Sequence, residues 1–109
     1  MSAITTHVLD ISLGRPAEGI RVKLHFEGAV VGSGVTDADG RVRELVAAGT
    51  PLEAGVYRMT FSVAEYFEET GRDAFYPEII VAFRIAAGSG HYHVPLLLSP
   101  FGYSTYRGT

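Results

Sequence analysis

The 109-residue sequence contains no cysteine. Disulfides and thiolate nucleophiles are excluded, and the composition fits a reducing, cytoplasmic setting. Nowhere do 18 apolar residues follow one another, and the opening MSAITTHVLD holds neither a basic nor an apolar block. Neither a membrane-spanning helix nor an export signal is therefore expected. Basic residues do not cluster: 9 Lys+Arg stand against 12 Asp+Glu, for a net charge of -3. The electrostatic footprint of a nucleic-acid or anionic-membrane binder is missing, so neither is expected as a partner. Low-complexity tracts, linkers and internal repeats are missing too. What is there, 47% hydrophobic and 19% charged, is the composition of one folded domain over residues 1–109.

Short β-type runs fill most of the chain. Thr5 to Asp10 is β-branched and alternating, and the LGRP that follows reads as a turn with Pro16 fixing φ. Ile20, Val22, Leu24 and Phe26 alternate with Arg21, Lys23, His25 and Glu27, the period-2 signature of a strand with one wet face. VVGSGVT and RVRELV predict two strands around the turn DADG. GVYRMTFSV, YPEIIVAFRI, HYHVPLLL and GYSTYR predict four more. AEYFEETG, with acids early and a glycine stop, predicts one short helix. About eight strands at this spacing imply an all-β, two-sheet sandwich.

The histidines occupy unusual faces. In HYHVPLLL, Tyr92, Val94, Leu96 and Leu98 share a core-like face, and His91, His93, Pro95 and Leu97 share the other. In TTHVLD, Thr6 and Val8 share one face and Thr5, His7 and Leu9 the other. Faces that mix His with Leu suit a protein–protein interface enclosing a polar pocket. His91 and His93 point the same way and could ligate a metal with His7 as a third ligand. No neighbouring acid offers a carboxylate to support such ligands, which argues against that reading. His25 falls on a wet face. The stretch DADGR is not a calcium loop, because aligning Gly40 with that loop's glycine puts Val35 and Val46 at ligand positions. It is an Asp-Gly turn that delivers Arg41 to the head of a strand. The GSG triplets at 32–34 and 88–90 are too short to cradle phosphate. No serine sits in a nucleophile elbow.

Three stretches, HVLDISLGRPAEGIRVKL, GVTDADGRV and HYHVPLLLSPFGYSTYRGT, resemble the transthyretin-related family, specifically its enzyme branch, the 5-hydroxyisourate hydrolases. The similarity runs from Thr5 to the C-terminus. Its most specific part is the tail, a Tyr-Arg-Gly-Ser in the enzyme branch and Tyr106, Arg107, Gly108 and Thr109 here. The resemblance implies a transthyretin-like sandwich in a homotetramer, a dimer of dimers with a central channel. It also implies an active site where the dimers meet, built from His7, Arg41, His93 and the segment Tyr106 to Thr109, which ends where it is needed. The reaction implied is hydrolytic opening of 5-hydroxyisourate in urate breakdown. In this scheme His7 and His93 activate water, Arg41 orients substrate and the tail contacts it, without metal or organic cofactor. The other branch of the family implies the alternative, a non-catalytic small-molecule carrier.

Overall fold

Strand β1 (Ile4–Asp10) buries Ile4, Thr6, Val8 and Asp10 and leaves Thr5, His7 and Leu9 half-buried on the opposite face. The computed structural model describes residues 3–87 and 90–109, so the first two residues of the second GSG lie outside it. In the first sheet β1 pairs with β2 (Arg15–Pro16) and β5 (Arg41–Val42), and in parallel with β8 (Tyr92–Ser99). The far side of β8 carries β9 (Gly102–Thr105). The second sheet is antiparallel, ordered β4 (Ala29–Val35), β3 (Arg21–Phe26), β6 (Gly55–Ser62), β7 (Glu78–Ile85).

Period-2 alternation aims one face of each sheet at the other. Ile4, Val8, Leu96 and Leu98 meet Leu24, Met59 and Phe61, all with no exposed surface, in a single core cluster. Burying each such side chain contributes about 1.5–3 kcal/mol. The second face of the β1–β8 pair, carrying Thr5, His7 and His93, is left for other work.

The structure departs from the sequence-based expectation in two places. RVRELV is strand only at Arg41–Val42; Leu45 and Val46 are buried from a turn. Gly32 of β4 runs so close to the Leu45 carbonyl that any side chain there would collide with it. The apolar residues are buried, but outside any ladder. Conversely, Arg15 and Pro16 pair with Asp10 and Leu9 in place of a simple turn. Proline is tolerated because this strand is two residues long.

The short helix α1 (Ala64–Glu69) forms where expected and buries Tyr66 and Phe67. It is pinned to the end of β1 through Asp10. That carboxylate accepts from the Tyr66 hydroxyl and from Arg72 Nη2, each at 2.6 Å, and from the Ser12 hydroxyl at 2.8 Å. Burial alone would raise the Asp10 pKa. Bonds from Arg72, Tyr66, Ser12 and the Leu13 amide outweigh burial and hold it well below the usual carboxylate range. Tyr66, buried against that charge, is pushed up to about 12.

Candidate active site

Parallel pairing sets Thr5 of β1 opposite His93 of β8. The Thr5 hydroxyl lies 2.8 Å from His93 Nδ1 and 2.9 Å from His91 Nε2. The two imidazoles stand nearly parallel, with centroids 6.4 Å apart and planes 17° apart. With Nδ1 engaged, Nε2 is the nitrogen of His93 left to meet a substrate.

Arg41 arrives from the Asp-Gly turn. Asp37 Oδ1 accepts from the amides of Asp39 and Arg41 at 2.9 and 3.0 Å, and the Asp37 amide donates to the Arg41 carbonyl at 2.9 Å. The hydrogen bond from the Arg41 amide is the chief reason the Asp37 pKa is lowered. Gly40 closes the turn at φ +78°, and its carbonyl accepts from the Val8 amide at 2.7 Å. A side chain at Gly40 would strike the Val8 carbonyl. The turn is thus locked onto β1, and Arg41 falls opposite His7.

The tail continues the edge of the same sheet. Gly108 bridges to His93, its amide donating to the His93 carbonyl at 2.8 Å. A Cβ at Gly108 would come within 2.5 Å of His93 Cδ2, so only glycine lets the backbone lie flat against the imidazole. Thr109 then joins Thr5, Arg41, His91 and His93 around a cleft of about 380 Å³. His7 stands beside these walls and not among them, on the same face of β1 as Thr5.

Tyr106 and Arg107 line an adjoining cavity of about 330 Å³ beside β7 and β8, and His93 lines both this cavity and the cleft. The Arg107 guanidinium sits 4.6 Å from the centre of the Tyr92 ring, a cation–π contact that ties the tail down. Tyr106 is 57% exposed. His25 lies on β3 in the other sheet, away from the cleft.

Electrostatics favour neutral His93. Burial is the main cause of its lowered pKa, followed by the electrostatic influence of Arg41, His7 and His91, with a bond to the Thr5 backbone acting the other way. A neutral imidazole with one free nitrogen is a proton acceptor. A guanidinium in the same cleft can grip carbonyl oxygens and stabilise a developing oxyanion. Among the described residues, no three His, Cys, Asp or Glu side chains gather as a metal site requires. Thr5 and the place of His91 in the cleft are the features that sequence reasoning missed. Alternation had put Thr5 on the face of His7, and that was the available signal.

Two sheets packed around one core, with one short helix, make the fold a two-sheet β-sandwich. The chain belongs to the HIUase/Transthyretin family, whose model matches residues 4–108. It is 39% identical to the 5-hydroxyisourate hydrolase of Pseudomonas aeruginosa, over 100% of this chain and 93% of that one. The structure of Klebsiella pneumoniae 5-hydroxyisourate hydrolase superposes with a TM-score of 0.88 at 42% identity, covering 100% of this chain and 94% of the other. Sea bream transthyretin in complex with thyroxine also reaches 0.88, at 32% identity over 99% and 96% of the two chains. Equal superposition on both branches means that fold alone does not choose between them; the residues in the cleft must.

Proposed function

We propose that this protein hydrolyses 5-hydroxyisourate, with water attacking a ring carbonyl and opening the six-membered ring. The observation that carries this reading is His93, held at Nδ1 by Thr5 and facing a cleft shared with Arg41 and Thr109. His93 takes the proton of the attacking water and His7, beside the cleft, shares in its transfer. Arg41 orients the carbonyl-rich ring and stabilises the oxyanion. Gly108 and Thr109 wall the substrate, and Arg107 holds that wall in place through its contact with Tyr92. No metal or organic cofactor takes part in these steps.

The reading extends to assembly. A homotetramer, a dimer of dimers, covers the half-buried face of the β1–β8 pair and turns it into a channel wall, with exposed Tyr106 at the channel. The cytoplasm is the proposed compartment; no helix among the described residues is long and apolar enough to cross a membrane. The experiment is direct: mix the protein with freshly generated 5-hydroxyisourate and follow its ultraviolet decay. Decay faster than the spontaneous rate supports the hydrolase. Binding without acceleration would support a carrier like the other branch of the family.

A further inference from the structure

The Thr5 hydroxyl has one proton and two imidazole neighbours, His91 Nε2 at 2.9 Å and His93 Nδ1 at 2.8 Å. A hydroxyl donates once and accepts elsewhere. If it donates to His91, it accepts from His93, which is then protonated at Nδ1 and bare at Nε2. If it donates to His93, it accepts from His91, and His93 must carry its own proton at Nε2. The two bonds therefore tie the tautomer of one ring to that of the other.

We infer that Thr5 is a positioning residue which, by donating to His91, fixes His93 as the Nδ1-protonated tautomer and so leaves Nε2 free to take the proton of the attacking water. The inference rests on the hydrolase reading above and deepens it by naming what prepares the base. His91 acts as the terminal acceptor. It is exposed, whereas His93 is half-buried, so the chain of bonds runs from the cleft outward. The same arrangement serves the next step. Once His93 Nε2 holds the water proton, the Nδ1–H bond to Thr5 Oγ1 steadies the imidazolium against the charges facing it, Arg41 from β5 and His7 from β1. This is the logic of a base oriented by a third group, with a hydroxyl and a second imidazole in place of a carboxylate. Thr5 touches no reacting atom.

The geometry constrains the alternatives. β1 and β8 are parallel and in register from Ile4–Tyr92 to Asp10–Leu98, so Thr5 stays opposite His93 as long as the sheet is intact. Gly108 covers the Cδ2 edge of the His93 ring, which keeps the imidazole from turning away from Thr5. Val at position 5 keeps the β-branched shape and deletes the hydroxyl. Ser keeps the hydroxyl and deletes the methyl.

The test uses the full-length protein labelled with ¹⁵N in its imidazoles. Long-range ¹H–¹⁵N correlations above the histidine titration range report the tautomer of His93 directly, whether or not the protein turns over substrate. Wild-type His93 is expected to be protonated at Nδ1, and Thr5→Val to return it to the ordinarily favoured Nε2–H form. In the hydrolysis assay, Thr5→Val should lower kcat roughly ten- to a hundredfold with little change in KM, within the range of acid–base contributions. Thr5→Ser should keep both the tautomer and most of the rate. The inference is overturned if wild-type His93 is Nε2-protonated, or if Thr5→Val keeps wild-type kcat. A fall in kcat with the tautomer unchanged overturns it as well, leaving Thr5 a merely structural role. If the wild-type protein does not accelerate hydrolysis at all, the hydrolase reading fails, and the tautomer data still decide whether Thr5 couples the rings.

Discussion

In the proposed hydrolysis, His93 is the residue on which the chemistry turns. Replacing His93 or Arg41 by Ala should lower turnover by about two to four orders of magnitude, the range for lost acid–base or oxyanion partners. His25→Ala, on the other sheet, should leave the rate intact; stopped-flow measurement of the three variants checks this. The pH profile carries a signed expectation. Because burial and neighbouring cations depress the His93 pKa below the ordinary 6.5, the neutral base persists as pH falls through 6.5. The acid limb of kcat/KM should therefore lie below 6.5, and Arg41→Gln should move it upward. An acid limb above 6.5 would mean that another group is the base. Thr109 offers a finer probe: Thr109→Ser should be nearly silent and Thr109→Ala should raise KM if its hydroxyl bonds substrate. At this scale alternation made the two faces of β1 and β8 legible, with Thr6, Val8, Tyr92 and Val94 buried as it required. What alternation does not encode is a neighbour. The partnership of Thr5 with His93 spans 88 residues of sequence and arises only from parallel pairing.

Among the elements, the tail has the most to lose. It holds few core residues, yet Gly108 lies on His93 and Thr109 closes the cleft. Deleting residues 106–109 should abolish accelerated hydrolysis while the circular dichroism and most of the thermal stability survive. Full activity in a folded, truncated protein would remove the tail from the site. Sequence reasoning brought all four tail residues to one place. In the structure Thr109 lines the cleft, while Tyr106 and Arg107 line the adjoining cavity, with His93 lining both and Arg107 packed on Tyr92. The misread RVRELV has a physical cause. Leu45 and Val46 look like strand because they are apolar, but burial is all that apolarity demands, and a turn satisfied it. The helix was legible because Glu65 and Gly71 mark its ends by local chemistry.

For the whole molecule, the half-buried outer face of the β1–β8 pair predicts assembly. Sedimentation at micromolar concentration should return a tetramer, since a face that sets His7 and Leu97 side by side with the cleft needs a partner and closed symmetry supplies one. A monomer with full activity would show that the cleft of one chain suffices.

The parallel pairing of β1 with β8 also orders events in time. The ladder β3–β4 joins neighbouring segments and β3–β6 joins residues at most 41 positions apart (Arg21 with Ser62), whereas Thr5 must wait for His93, 88 positions on, and Gly108 arrives later still. Because distant segments are costlier to bring together, the second sheet should form first and the cleft last. During refolding, amide protection in β3 and β6 should precede the return of hydrolysis. On the ribosome the same ordering predicts that a nascent chain gains hydrolytic activity only once Gly108 and Thr109 have emerged to meet a folded β1–β8 pair.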